Sequence, residues 1–585
     1  MSDETSYSLL RDGSGDLLLS IVSYLNVTDG AKFGRTCRRA FYLIQQYRRL
    51  RGPEFVAAAA ASNRGPPLEN DALVRKALEG IQGEPTICLS FQTNRNTTFS
   101  NSMLPKLPPS TICLGVKSTN IQSVMDGRVE CASPAGLFLG TLPAASTAMP
   151  FVWAAEEGDD CTNWTTERFL PQLIQATEAT NPTFWKVMIV YATHGASAQV
   201  ENFLHMLQNA LPQLQIVGGI CQGGYVSQPH DAASEDWNTW SSHDLVTYLR
   251  NTGVTVDPST SSKAELVKQV HQTIQTRPYH LCHVGDEVAA SHGEGIFGVV
   301  LGGEVPVETV VSRGVKSIIT HGPPTPTSDY VVHEAEFRLP TDDAYMFNTG
   351  PNQDGLPAYH MIRSVRDRQT GRTIMVPNWI QTHGSCDLVG LRYQQQHDGF
   401  ALHSAHPLSR NLGGFLFFQD STLPMTSLEG AEIDLYTLDG PACRNDVHST
   451  LQALQQEVKG QKLLGGCMFS CAARGPAPNM LGEKMADAAA WATHFPTVPL
   501  LGWYAGGEVG PMAMAGRKNA MRGRDATQKA TLQGFTAVFA LWIVPVIDWT
   551  TVHLDDAAET VTSFCRERLL ERRDTTVGRV AESEV

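Results

Sequence analysis

One stretch constrains this chain more than any other: KVMIVYATHG (186–195), SAQVENFLHMLQNAL (197–211) and LQIVGGI (214–220). The first run is apolar and ends on a glycine, as a buried strand does. The second places Val200, Phe203, Leu204, Leu207 and Leu211 on one helical stripe. The third is apolar again. Strand, helix and strand in that order predict a crossover between parallel strands, and a parallel sheet around them.

The same texture continues on both sides. From about residue 85 short β-rich runs alternate with Gly and Pro, of which the chain has 50 and 33. Later runs are GIFGVVLGGEVPVETVV, GGFLFFQ, AEIDLYTLD, KLLGGCMFSCAARG, VPLLGWYAGGEVGP and GFTAVFALWIVP. A helix striped at Val447, Leu451, Leu454 and Val458 sits among them. At 585 residues the chain exceeds one core. The stretch Ser241–Gln275 reads as two short helices, one carrying Leu245 and Leu249, the other starting after Ser261-Ser262 with Leu266, Val267 and Val270. They look inserted into the first β-rich unit. PEFVAAAAASNRGPPLEN, after residue 52, reads as a linker or a helix end, and the tail from Arg572 as disordered.

Charge and cysteines exclude some functions. A net charge of −14 opposes general nucleic-acid binding, which needs clustered Lys and Arg. Twelve scattered cysteines form no disulfide framework. The acidic start, MSDETSYSLLRDGSGD, lacks the basic region of a secretory signal, and the longest apolar run, near Phe535–Ile547, is too short for a membrane span. The expectation is a reduced protein of cytoplasm or nucleus.

Near the amino terminus, Leu18, Ile21, Val22 and Leu25 form one apolar stripe, and Phe33, Cys37, Ala40, Phe41 and Ile44 a second, capped by Thr28 or Asp29. Two short helices cannot bury both faces alone. DLLLSIVSYL followed by CRRAF resembles the F-box, with Gly13-Ser14 where that family has Leu-Pro. The resemblance implies docking on a Skp-type adaptor of a cullin–RING ubiquitin ligase, with Leu18, Ile21, Tyr24, Leu25 and Cys37 at packing or adaptor-contact positions. The competing reading is a basic hairpin for anionic lipid or RNA, since residues 31–51 hold seven basic side chains and no acidic one. HDLVTYLRNTGV and SSKAELVKQV resemble a SAP-type helix–extended–helix module. Lys263 and Lys268 are its candidates for DNA. Its formal charge is zero, which favours a structural or protein-contact role.

GEGIFG (293–298) has the spacing of a dinucleotide loop, but a strand-like run follows where a helix is required. Cys467 and Cys471 are spaced for zinc, yet have no second pair nearby, and on a regular strand they stand ~13 Å apart. Cys471 as a nucleophile has Arg474 beside it and His494 as a conceivable base. A third reading is a glycine-flanked loop that brings backbone and Arg474 to a ligand. Phe469-x-Cys471-x-x-Arg474-Gly475 and Gly506-Gly507-Glu508-x-Gly510-Pro511 resemble the paired signatures of the FIST C domain, and VGGICQGGYVS and GIFGVVLGG the FIST N domain.

The resemblances together imply an F-box-like segment at 10–51, a linker at 52–84, a FIST N-like domain at 85–320 interrupted by the SAP-like insertion at 239–276, a FIST C-like domain at 330–550 and a disordered tail at 572–585. The expected class is mixed α/β and α+β. They also imply a non-catalytic substrate receptor of a Skp–cullin–F-box ligase, without cofactor or metal, whose FIST body senses an amino-acid-like ligand. In that site Arg474 clamps a carboxylate and Glu508 an ammonium, while Cys471, Gly475, Gly506 and Gly507 line the approach. Alternatively Arg474 and Glu508 form a salt bridge that closes their two loops on each other.

Overall fold

The computed structural model describes residues 54–59, 69–81, 84–93, 99–118, 121–125, 127–142, 146–154, 185–229, 241–242, 245–246, 249, 262–276, 279–285, 294–303, 305, 307–338, 358–384, 386–393, 399–404, 413–418, 423–475, 481–515, 521–522 and 529–545. The segment 10–51, with Leu18, Ile21, Tyr24, Leu25 and Cys37, lies outside them, as does the tail at 572–585.

The fold is mixed α+β and strand-rich, and the described residues form four sheets. Strands Trp185–Thr193 and Gln215–Cys221 pair in parallel, Val187 opposite Gln215, with helix Ser197–Ala210 crossing between them. That much follows from the apolar runs and the helical stripe, whose Val200, Phe203, Leu204, Leu207 and Leu211 are all buried. The parallel sheet expected around the pair is absent. Strand Gly295–Gly302 joins on one side and Glu508–Pro511 on the other, both antiparallel, so the sheet is mixed. One parallel pair in a mixed sheet recurs twice, at Ile87–Thr93 with Ile112–Ser118 and at Gln461–Cys471 with Leu500–Ala505. The antiparallel neighbours that complete the sheet come from distant parts of the chain, Gly295–Gly302 beside Trp185–Thr193 and Glu508–Pro511 beside Gln215–Cys221.

The linker reading is corrected by Glu54–Ala59, a strand that pairs along its length with Ala135–Thr141, and by helix Asn70–Gly80. Alanine favours helix in isolation, but a free sheet edge supplies the backbone partners that override so weak a preference.

The stretches 85–320 and 330–550 do not keep their strands apart. Glu508–Pro511 and Ala530–Gln533 complete the sheet of Trp185–Thr193. Ile121–Met125 and Arg128–Ser133 extend the sheet of Leu500–Ala505. A single core accordingly runs from Phe55 to Trp542, with the two rings stacked at 4.1 Å. The apolar run near residue 540 is strand Ala537–Pro545, inside a sheet between Val307–Ser312 and Gln461–Cys471. Among the described residues no helix is long and apolar enough to cross a membrane.

Between strands Gly223–Pro229 and Tyr279–Val284, helix Lys263–Thr276 starts where the serines predict, with Ser262 Oγ accepting from the Glu265 backbone. Leu245, Val246, Leu249, Leu266, Val267 and Val270 form a small core of their own.

Candidate functional site

Both glycine-rich motifs leave the same edge of one sheet. Cys471 pairs with Ala505 at the carboxyl ends of two parallel strands, the edge where open α/β sheets place their sites. After Cys471 a short 3-10 turn, Ala472–Arg474, sends the arginine inward, where it is 0% exposed.

Arg474 is committed inside the protein. Its Nη2 and Nε donate to Asp487 Oδ1 at 2.6 Å and Oδ2 at 3.0 Å, a bidentate pair with an aspartate only 1% exposed. Ser470 Oγ donates to the same carboxylate at 2.6 Å. Nη1 donates to the carbonyls of Arg313 at 2.9 Å and Phe535 at 3.2 Å. A ligand clamp at Arg474 therefore has no open face, and its salt-bridge partner is Asp487 rather than Glu508.

Glu508 serves the same segment from the other side. Its Oε2 accepts from the Thr536 backbone N–H at 3.1 Å and from Thr536 Oγ1 at 2.9 Å. Cys471 N–H donates to Thr536 O at 2.9 Å. Arg313 Nε and Nη2 donate to Gly534 O at 3.1 and 2.7 Å. Three consecutive residues, Gly534, Phe535 and Thr536, are thus held by Arg313, Arg474, Glu508 and Cys471. The reason for so many clamps is conformational: Phe535 sits at φ 63°, where a bulky side chain crowds its own backbone. Glu508 is fully buried, and burial pushes its carboxyl up to about 8 against the lowering effects of Thr536, Arg474 and Arg313. Its Oε1 has no hydrogen-bond partner among the described residues.

Gly506 and Gly507 permit a close approach of two backbones. Gly506 N–H donates to Ile220 O at 2.9 Å, and Ile220 N–H to Gly507 O at 2.8 Å. A Cβ on Gly506 would lie 2.7 Å from His194 Cε1. The GGE turn and the VGGIC strand, both singled out in the sequence, meet here. A Cβ on Gly475 would stand 2.2 Å from the Tyr504 hydroxyl, so that glycine also fits a packed neighbour.

Cys471 is 8% exposed, and burial, reinforced by Glu508, pushes its thiol up to about 12. A nucleophile needs the opposite shift. His494 Nε2 stands 3.1 Å from His448 Nδ1. Cys467 and Cys471 lie on one continuous strand, and among the described residues no cluster of three or more His, Cys, Asp or Glu could hold a metal ion. Lys263 and Lys268 are exposed, and Lys268 Nζ stands 3.9 Å from Glu265.

Next to the clamped turn lies a groove of about 1020 Å³. One wall is helix Gly440–Glu457, capped by Asp439, whose side chain accepts from the Ala442 N–H at 2.8 Å. The other is the segment from Arg313 to Pro326, and Gly314, at φ 72°, lets this wall approach the helix. A Cβ there would stand 2.5 Å from Ala442 O. Val311, Arg313, Val315 and Leu402 are buried at the floor, while Lys316, His321, Asn445 and Ser449 are exposed at the rim. No family model matches the chain, and no curated protein matches it either. The groove and the clamp therefore speak for themselves.

Arg313, Asp487 and Thr536 escaped the sequence reading. Asp487 left a signal, because a lone acid in ADAAAWATH must find a cation once the helix is buried. Arg313 left none, since an arginine before a glycine at a strand end reads equally well as surface.

Proposed function

We propose that the chain is a non-catalytic receptor. Its F-box-like segment at 10–51 recruits a Skp-type adaptor and cullin, and its FIST N-like and FIST C-like body presents substrate proteins for ubiquitination and proteasomal degradation. The observation that carries the reading is the clamp on Gly534–Thr536. The charged motif residues are spent on holding backbone, and the thiol among them is driven away from its reactive form. Such a site builds a rigid scaffold beside an open groove, which suits recognition. Among the described residues Cys471 is a thiol outside any disulfide, as a cytoplasmic or nuclear protein would keep it.

Affinity purification of the tagged full chain, with and without proteasome inhibition, tests this. Adaptor and cullin are expected with the wild type and not with Leu18→Asp/Leu25→Asp, and client proteins should accumulate under inhibition. A preparation free of both adaptor and cullin would refute it.

The groove favours a second reading, a ligand sensor without ligase activity. A small molecule at 100 Kd adds about 2.7 kcal/mol of stability, so a thermal-shift panel of amino acids and metabolites reports on it. A nucleic-acid contact through Lys263 and Lys268 is the weakest reading, because Lys268 already faces Glu265.

A further inference from the structure

We propose that the groove floored by Arg313 binds the carboxyl-terminal end of a peptide, with the terminal carboxylate paired to the Arg313 guanidinium. The inference rests on the reading of the body as a recognition module and names what it recognises.

The guanidinium is the first reason. Arg313 is 4% exposed, and its side chain donates only to backbone carbonyls: twice to Gly534 O and once, at 3.3 Å, to Leu402 O. An arginine has five N–H donors, so two have no acceptor among the described residues. Among the described residues it forms no salt bridge, in contrast to Arg474, which has Asp487. Burial lowers the Arg313 pKa to about 10 although Glu508 pulls the other way. A buried cation with no carboxylate in ion-pair contact is costly unless something supplies one. The planar fork matches a carboxylate better than a neutral amide.

Length is the second. The helical wall contributes residues from Pro441 to Glu457 at three- and four-residue intervals, a strip of ~24 Å at the rise of an α-helix. A volume of about 1020 Å³ is at the upper end for small-molecule sites. An extended peptide at ~3.3 Å per residue would fill such a strip with about seven residues.

Polarity along the strip is the third. Gly314, next to Arg313, packs on Ala442 and Cys443, so the cation stands near the start of the helix, where the macrodipole also favours an anion. Asp446 stands at the Arg313 end, but its Oδ2 is spent on Ser312 Oγ at 2.6 Å and the Arg313 N–H at 3.0 Å, while Glu457 closes the far end of the helical wall. The carboxylate enters at the Arg313 end, and upstream residues run toward Glu457, where a basic side chain is preferred. Pro323, Pro324 and Pro326 stiffen the facing rim, so little order has to be gained on binding.

The test uses the full chain and two pools of random heptapeptides, one ending in a free carboxylate and one amidated, with retained peptides quantified by mass spectrometry. The free-acid pool should be retained about 10- to 100-fold better, as expected for losing a charge-assisted hydrogen bond. Arg313→Met should abolish the preference. Because Arg313 also holds Gly534, the control is Ser449→Trp, at the exposed rim, which should block binding with unchanged thermal unfolding. Equal retention of both pools, retention of neither, or unaltered binding by Ser449→Trp would overturn the proposal. Displacement of the peptides by equimolar free amino acids would overturn it too, by assigning the site to a small acid. Adaptor capture through residues 10–51 is read separately, so failure of the receptor reading leaves a distinct record.

Discussion

Asp487→Asn removes one charge from the buried pair and changes little else in shape. Arg474 would remain 0% exposed with its carbonyl contacts to Arg313 and Phe535, but without a counter-ion. Breaking a buried ion pair from one side costs about 3–5 kcal/mol. The asparagine oxygen retains one acceptor for the guanidinium, so the lower end, about 3 kcal/mol, is expected. Urea unfolding of the full chain, followed by the fluorescence of Trp491, on the Asp487 helix, and Trp503, on the neighbouring strand, reads the loss. The double variant Arg474→Met/Asp487→Leu should recover most of it, since an apolar pair of similar volume removes the desolvation penalty together with the attraction. A loss below about 1 kcal/mol for Asp487→Asn, or a double variant worse than the single, would refute the claim that this pair anchors the turn.

Three further outcomes follow from the same geometry. Glu508 keeps its proton up to about pH 8 when folded, so the folded chain binds more protons than the unfolded one above the ordinary carboxylate range. Its contribution to stability is full below pH 4.5 and declines toward pH 8, and Glu508→Gln should flatten that decline in urea midpoints measured from pH 5 to 8.5. Gly475→Ala drives a methyl into the Tyr504 hydroxyl, which donates to Gln122 Oε1 at 3.1 Å; a loss of about 1–3 kcal/mol is expected, partly restored by Tyr504→Phe. Native-state alkylation at pH 7.5, read by peptide mapping, should leave Cys471 unmodified, and rapid labelling there would revive the thiol-enzyme reading.

The periodic parts of the fold were legible. Helix Ser197–Ala210, helix Gly440–Glu457 and the strands around them follow from apolar spacing alone. The exchange of strands between 85–320 and 330–550 was not, because an antiparallel pairing leaves no local trace of which distant strand completes it. Strand Glu54–Ala59 was hidden for a similar reason: its alanines describe the edge it meets less than their own preference. At the site, the motifs at 471–475 and 506–508 marked the right place, while their chemistry depended on Asp487, Thr536 and Arg313, residues that become neighbours only in three dimensions. The carboxylate that meets Arg474 comes from a helix twelve residues beyond Gly475, and the backbone that meets Glu508 lies in the last strand region.

The most direct test of the receptor account is the affinity of the purified full chain for a purified Skp-type adaptor, wild type against Leu18→Asp/Leu25→Asp. The account predicts saturable binding by the wild type and a loss of at least about 100-fold in the variant, as expected when two buried apolar anchors become charged. An adaptor that ignores the wild-type chain, or binds both proteins alike, would contradict it.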